Sequence, residues 1–269
     1  MIRSSIRSTL LVAATSLTVG LFGSGALLAE ENPAASGFNA DGSDQKAIEI
    51  ADSVMETMGG RQAWDNTRYL TWRFFGNRRH VWDKYTGDIR VEGVRRDDDK
   101  PFLILMNIHS MEGRAWVDGQ EVTDPEEQAK LLDTGEALWI NDSYWLVMPY
   151  KLKDSGVTLR YVGTDSMQDD RQAEVLQLTF EDIGRTPENR YLIYVASDSG
   201  LVEQWDFFEN ADDPEPGFQI PWHDWEQQGN IMLSANRGKN GHTDIAVFQS
   251  LPESVLHSPE EVDWAGLIE

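Results

Sequence analysis

The 269-residue sequence contains no cysteine. This absence excludes disulfide bonds, thiolate metal sites, cysteine nucleophiles and a lipid-modified N-terminal cysteine. Basic residues are also scarce, with 23 Lys and Arg against 46 Asp and Glu, so the formal net charge is −23. Non-specific nucleic-acid binding and attachment to anionic membranes both need a net cationic face. The composition therefore excludes both classes of partner.

Recognisable catalytic motifs are absent as well. The sequence has no G-x-S-x-G elbow, no H-E-x-x-H, no P-loop and no G-x-G-x-x-G fingerprint. His242 and Asp244 lie two apart on a predicted strand, so both are expected on one face, where they could bind a metal. His223, Asp224 and Glu226 lie together in a predicted loop. In a chain this acidic, chance proximity explains both groups, and we predict no catalytic residue, metal or cofactor.

The first thirty residues have the layout of a secretory signal. Arg3 and Arg7 precede an uncharged stretch that ends at Ala29, and acidic residues begin at Glu30. This pattern predicts a signal peptide over residues 1–29, cleaved after Ala29, and a periplasmic or secreted protein. An uncleaved anchor is the alternative, because the stretch is long enough to span a bilayer. Its Ser, Thr and Gly content favours cleavage, which leaves no stable membrane span.

The mature chain is predicted to begin with a leader and a helix. Residues 30–42 are rich in turn formers and predict a flexible leader, followed by a single domain over 43–269. Apolar residues at three- and four-residue spacing predict a helix over 43–58. Ser43 is placed as its N-cap, and Gly59-Gly60 as its C-terminal stop.

An apolar helical insertion is predicted in the middle of the chain. Residues 125–138 carry acids in their first turn and apolar residues at helical spacing. The aromatic-rich segment that follows must kink or stop ahead of Pro149, since proline disrupts a helix interior. Lys151 and Asp154, just beyond it, could pair, although an exposed ion pair stabilises a fold by only roughly 0–1 kcal/mol.

The remaining sequence predicts short antiparallel strands. Runs rich in β-branched and aromatic residues recur every ten or so residues, separated by turn residues. Some alternate between apolar and polar residues, so one face of the sheet is expected to be covered. The predicted strands lie near 67–76, 78–85, 88–95, 102–109, 113–118, 157–163, 173–182, 190–196, 201–209, 229–236 and 242–250. The predicted class is α+β, mainly antiparallel β.

Three short phrases carry a resemblance to a known family. Gly59, Gly60 and Trp64 form a GG-x-x-x-W unit, YWLVMPYKLKDSGVTL stands at 144–159, and LPESVLHSPEEV stands near the end. With the order of elements, these phrases resemble the periplasmic lipoprotein-carrier superfamily (LolA/LolB-like), and uncharacterised secreted relatives more than the carriers themselves. The resemblance covers nearly the whole mature chain.

The resemblance implies an incomplete β-barrel of about eleven strands, with a helical lid across its opening above an apolar cavity. In the carriers, that cavity holds the acyl chains of a lipoprotein in transit. An arginine there ties the lid to the barrel, and no motif in this sequence places that arginine.

The leading functional hypothesis is a non-enzymatic protein that binds a lipid, an acyl chain or another hydrophobic molecule, with lipoprotein or lipid transport as its extension. Most aromatic residues are expected to pack in the core, and some to line the cavity. The candidate lining residues are Trp72, Phe74, Ile104, Met106, Trp116, Trp145, Met148, Leu178 and Phe180.

Two alternatives stay open at this point. A secreted hydrolase would use paired carboxylates or the metal site suggested by His242 and Asp244. An envelope scaffold or sensor module would bind a protein partner along an exposed sheet edge.

Overall fold

The computed structural model describes residues 31–181 and 184–268, so the predicted signal peptide lies outside the described residues. Within them the fold is mostly antiparallel β, with a few helices. A nine-stranded and a five-stranded sheet remain open, which gives the predicted α+β half-barrel. No helix in these two ranges combines the length and apolar character needed to cross a membrane.

Fourteen strands form the two sheets in the described chain. They are β1 (Tyr69–Phe74), β2 (Arg78–Asp83), β3 (Asp88–Val94), β4 (Pro101–Asn107), β5 (Gly113–Val117), β6 (Gln120–Glu121), β7 (Val157–Ser166), β8 (Gln172–Phe180), β9 (Arg190–Ala196), β10 (Val202–Phe208), β11 (Phe218–Pro221), β12 (His223–Gln228), β13 (Ile231–Arg237) and β14 (Asn240–Phe248). The larger sheet has the order β12-β13-β14-β1-β2-β3-β4-β5-β6, and the smaller has the order β11-β10-β9-β8-β7. All eleven predicted strands occur.

Three strands escaped prediction, namely β6, β11 and β12. The prediction that His223, Asp224 and Glu226 lie in a loop is wrong, because they belong to β12, the edge strand of the larger sheet. Both faces of β12 are partly exposed, so the strand lacks the apolar alternation that marks half-buried strands. One residue, Trp222, separates β11 from β12, so the chain passes directly from one sheet into the other.

The two long helices lie where the sequence predicts them, and the four short ones have no counterpart in the predictions. They are α1 (Gln45–Thr57), α2 (Arg61–Asn66), α3 (Pro125–Val147), a 3₁₀ helix (Met148–Lys151), α4 (Ser254–His257) and α5 (Trp264–Ile268). Helix α3 is one continuous helix that ends just ahead of Pro149, as expected. Its N-cap is Asp124, whose carboxylate accepts hydrogen bonds from the N–H groups of Glu126 and Glu127.

The start of α1 differs from the prediction. Asp44, and not Ser43, is the N-cap residue. Neither side chain caps the helix, because both bind β7 instead. The Ser43 hydroxyl accepts from the Leu159 N–H at 2.9 Å, and the Asp44 carboxylate accepts from the Tyr161 N–H at 3.0 Å. Tertiary hydrogen bonds have replaced the local cap.

The segment predicted as a flexible leader follows the same strand. The Ala35 N–H donates to the Lys153 carbonyl, and the Asn39 N–H donates to the Val157 carbonyl. Phe38 packs against the main core. In the structure this segment therefore lies along the edge of the smaller sheet, rather than detached from the domain.

Two hydrophobic clusters form the interior. The main cluster joins α1 and the end of α3 to the inner faces of both sheets. The second lies under the first half of α3, where Leu132 packs against Ile104 and Met106 of β4. Through this contact α3 covers the face of β4 that carries Phe102, Ile104 and Met106. Helices α4 and α5 pack Val255 and Trp264 against the opposite face of the larger sheet.

Candidate functional site: a cavity beneath helix α3

A cavity of about 640 Å³ lies between the second half of α3 and the smaller sheet. Its volume is within the usual range for small-molecule sites, roughly 300–1,000 Å³. Nine of its lining residues are aromatic: Trp82, Trp139, Tyr144, Trp145, Phe180, Tyr191, Trp205, Phe207 and Phe218. Aromatic residues are therefore the largest group in the lining, and together with four aliphatic residues they outnumber the eight polar ones.

Helical and strand periodicity bring these side chains together. On α3, Ala137, Ile140, Tyr144 and Val147 recur at three- and four-residue spacing and line the cavity along one stripe. On the smaller sheet, Phe207 of β10 is the register partner of both Tyr191 on β9 and Phe218 on β11. A row of aromatic cross-strand neighbours thus faces the helix.

Ring contacts connect the two walls. Phe207 and Phe218 stack with their centroids 4.7 Å apart and their planes 17° apart. Trp145 of α3 stacks on Phe218 at 5.8 Å and meets Trp205 edge-on at 4.9 Å. The helix and the sheet therefore touch through aromatic rings at one end of the cavity, which holds the two walls in a fixed relation.

Burial shapes the electrostatics of the lining. It raises the pKa of Tyr191 to about 12 and places the pKa of Tyr144 well above its ordinary value. A phenol whose ionised form is disfavoured to this degree lies in surroundings of low polarity. Both tyrosines are neutral across the physiological pH range.

The charged residues of the lining are already paired. Lys151 and Asp154 form the predicted ion pair at the end of the 3₁₀ helix. Arg185 donates to Asp133 at 2.7 Å and to Glu136 at 2.5 Å, both on α3. Among the described residues that line the cavity, no other carries a formal charge.

A buried polar group fastens the second half of α3 to β2. Asp142 is fully buried and accepts two hydrogen bonds from the Arg78 guanidinium, at 2.8 and 2.9 Å. The His80 Nε2 lies 2.7 Å from the same carboxylate. Burial alone would raise the pKa of Asp142, but the hydrogen bonds from His80 and Arg78 outweigh it and lower that pKa. Asp142 is therefore an anion.

His80 itself is neutral. Burial lowers the pKa of His80 more strongly than Asp142 raises it. The ring donates through Nε2, and its buried Nδ1 has no hydrogen-bond partner in the described chain, so a proton there would be an unsatisfied charge.

A second group holds the end of α3 to β13 and β14. The Trp145 carbonyl accepts from Arg237 Nη2 at 2.8 Å and from His242 Nε2 at 3.0 Å. Burial lowers the pKa of His242 to about 3, with the nearby Arg237 guanidinium acting in the same direction. Arg78 and Arg237 are thus the arginines that tie the helix to the sheet. No local pattern distinguishes them from the other arginines, because their partners are far away in sequence.

The nine candidate lining residues fall in different places. Trp145 and Phe180 line the cavity. The other seven are buried away from it. Trp72, Phe74, Met148 and Leu178 belong to the main cluster, Ile104 and Met106 to the second cluster, and Trp116 is buried on β5. Helix α1 and the first half of α3 fill the part of the half-barrel that they face.

The prediction that His242 and Asp244 share one face is wrong. His242 is buried and reaches Trp145 on the inner side, whereas Asp244 is 41% exposed and pairs with Arg73 and Arg79 on the outer side. Asp244 has a φ of 52°, and the pairing of β14 with β1 shifts register there. This bulge breaks the two-residue alternation on which the prediction depended.

The other metal candidate is not a cluster either. Asp224 accepts a hydrogen bond from the Asn236 side chain at 2.9 Å. Across residues 31–181 and 184–268, no group of three or more His, Asp or Glu side chains is arranged to hold a metal ion.

Comparison with known proteins gives distant structural neighbours only. No family model matches the chain, and no curated protein matches it. A DUF1329 family protein from Desulfovibrio piger is 13% identical, with a TM-score of 0.42 over 79% of this chain and 97% of that protein.

Two further neighbours are more distant in structure. An uncharacterised conserved protein from Thermus thermophilus is 13% identical, with a TM-score of 0.30 over 81% of this chain and 96% of that protein. MucB, solved in complex with MucA(peri), is 14% identical, with a TM-score of 0.23 over 81% of this chain and 60% of MucB. The cavity's own residues therefore have to carry the functional proposal.

Proposed function

We propose that this protein binds a lipid or another hydrophobic small molecule in the cavity beneath α3. The single observation that carries the proposal is the chamber of about 640 Å³ whose lining is chiefly aromatic and aliphatic. Cavities of this kind, apolar with a few polar groups at hand, are the usual form of hydrophobic-ligand sites.

The geometry of α3 supports a cover rather than a filled core. The first half of the helix packs directly onto β4, whereas the second half stands over the cavity. Polar ties to Asp142 and to the Trp145 carbonyl hold the second half in place from the side of the larger sheet. The helix can thus keep its position without its cavity-facing stripe being packed.

In this proposal the protein acts without catalysis and outside the cytoplasm. The titratable groups of the described lining are two neutral tyrosines and the ion-paired Lys151, Asp154 and Arg185, so no unpaired carboxylate, imidazole or amine stands there as a general base for the Ser143 or Ser155 hydroxyl. The location rests on the signal-like first thirty residues of the sequence. Transfer of the bound molecule between envelope components would be the corresponding task.

Extraction of the protein from its native host gives the direct test. Native mass spectrometry of the purified full chain is expected to show an added mass, and solvent extraction should recover one class of hydrophobic compound in stoichiometric amount. Protein that is consistently empty, even when offered a total lipid extract of that host, would overturn the proposal.

A matched pair of variants locates the binding. Ala137 lines the cavity, whereas Ala129 lies two turns earlier on the same helix and is exposed. Ala137→Trp places an indole in the chamber and is expected to weaken ligand binding at least about tenfold, the change in dissociation constant that roughly 1.4 kcal/mol of lost binding free energy gives, and so to lower the occupancy. Ala129→Trp should retain wild-type occupancy. Equal occupancy in both variants would place the ligand elsewhere.

A further inference from the structure

The composition of the cavity wall restricts what kind of hydrophobic molecule it suits. We propose that the cavity takes a neutral, rigid, ring-containing molecule rather than a flexible or anionic acyl chain. This inference rests on the proposed binding function and adds the ligand class to it.

Flat aromatic rings are the largest group of side chains in the cavity wall. Against nine aromatic lining residues stand four aliphatic ones, Ala137, Ile140, Val147 and Val157. Leucine and methionine are missing from the described lining, although both are common in the adjoining core. Methionine and leucine adapt their shape to an irregular or flexible occupant. Tryptophan and tyrosine have two side-chain torsions and present rigid planes instead.

Contacts within the wall hold these planes in place. Tyr191 lies 5.0 Å from Trp205 and 5.4 Å from Phe207, measured between ring centroids. Tyr144 of α3 in turn lies 5.7 Å from Tyr191 and 6.0 Å from Trp205. Each of these four rings is restrained by at least two others, so this part of the chamber has a preformed shape. A preformed shape favours a ligand that is itself rigid, because neither partner loses conformational freedom on binding.

The charges of the lining exclude a preference for anions. Lys151 is paired with Asp154, and Arg185 is paired with Asp133 and Glu136. A ligand carboxylate or phosphate would have to displace one of these protein carboxylates from its cation. At Arg185 it would compete with both Asp133 and Glu136. The whole chain also carries an excess of negative charge. The polar end of the ligand is therefore an uncharged group, such as a hydroxyl or a carbonyl.

Four probe molecules test separately whether the cavity prefers a rigid ligand and whether it prefers an uncharged one. 1-Pyrenemethanol and 1-pyrenecarboxylate have the same rigid ring system and differ in charge, and 1-dodecanol and dodecanoate form the same pair with a flexible chain. Isothermal titration calorimetry of delipidated full-length protein at pH 7.5 gives the four dissociation constants. We expect pyrenemethanol to bind about tenfold more tightly than dodecanol, and each alcohol to bind more tightly than its acid.

A variant with a matched control tests whether the aromatic rings of the lining cause the preference for 1-pyrenemethanol. Phe218 lines the cavity and is 37% exposed, so Phe218→Leu leaves the core intact. It should weaken the binding of 1-pyrenemethanol two- to tenfold, the range that the loss of an aromatic pair contact gives. The affinity for 1-dodecanol should change less than twofold. Tyr85 is 56% exposed and does not line the cavity, so Tyr85→Leu should leave the affinity for both alcohols unchanged.

The outcomes distinguish the two proposals. If dodecanol binds as tightly as pyrenemethanol, or if the acids bind more tightly than the alcohols, the ligand class proposed here is overturned and the binding function stands. If none of the four probes binds, both proposals are overturned. A host-derived ligand that consists of an acyl chain without a ring would also overturn the ligand class.

Discussion

The two halves of α3 are held in contrasting ways. The first half is fixed by close packing, because Gly135 lies so near β4 that a Cβ atom on it would come within 2.9 Å of Ile104 Cγ2. The second half is fixed by polar groups, through Asp142 and the Trp145 carbonyl, and at its end by Leu146 in the main cluster, while its apolar stripe faces a cavity. One helix thus combines a packed anchor with a span that leaves room beneath it.

This difference shows how a small protein can keep a cavity open. Packing stabilises a helix only by filling the space next to it. Hydrogen bonds to buried charged groups fix a position without filling space, although each such group must stay paired to be tolerated. The partly buried Arg78 and the buried His80 and Arg237 side chains are therefore the energetic cost of the open chamber.

The largest expected effect comes from breaking the polar attachment. Asp142→Ala leaves the buried His80 and the partly buried Arg78 without their carboxylate, and we expect a loss of about 4 kcal/mol in the free energy of unfolding. Urea denaturation followed by tryptophan fluorescence measures it. Asp133→Ala, on the exposed side of the same helix, is the control and should leave the unfolding midpoint unchanged. Equal midpoints for both variants would show that the buried group does not hold the helix.

A second pair of substitutions compares how tightly the two halves of α3 are packed. Leu132→Ala removes a buried side chain from the second cluster and should cost about 3 kcal/mol. Ile140→Ala removes a similar volume next to an existing cavity, so no new void is created, and about 1 kcal/mol is expected. Both values come from the same urea titrations. Comparable losses at the two positions would mean that the second half of α3 is packed as tightly as the first.

A further expected effect is a dependence of stability on pH. The pKa of His242 is about 3 in the folded protein, against an ordinary value of 6.5, so the unfolded chain binds a proton that the folded one does not between these values. The stability that the neutral His242 contributes is therefore fully present above pH 6.5 and is lost as the pH falls below that value. Between pH 7 and pH 5 this residue should account for about 2 kcal/mol.

His242→Gln provides the measurement, because glutamine can still donate to the Trp145 carbonyl but does not titrate. The decrease in stability between pH 7 and pH 5 should be smaller in this variant by that amount. His109→Gln, at an exposed histidine, should show the full wild-type decrease. If both variants lose stability in parallel with the wild type, the titration of His242 is not the source.

The strands and helices were largely predictable because their signals are local. The alternation of Leu70, Trp72 and Phe74, and the helical spacing in α1 and α3, depend on residues only a few positions apart. The exceptions follow the same logic. β12 is polar and lies at a sheet edge, and the bulge at Asp244 changes which face a side chain takes without any sequence mark strong enough to predict it.

The cavity was much less predictable. Seven of the nine candidate lining residues are apolar and were placed on the correct kind of element, yet they pack in the core. Hydrophobicity identifies a side chain that leaves water, but it does not say whether another side chain or a void stands opposite. Phe207 and Phe218 gave no separate signal, since their role depends on strand register and on where α3 crosses the sheet.

The sequence alone determined the exclusion of covalent lipid attachment through cysteine, the acidic surface, the mainly antiparallel class and a helix that ends ahead of Pro149. Each of these depends on composition or on near neighbours along the chain. Only the tertiary structure decided which part of that helix packs onto β4 and which part covers a chamber. That choice rests on contacts between residues more than sixty positions apart, such as Arg78 with Asp142 and Trp145 with Arg237, which no local pattern encodes.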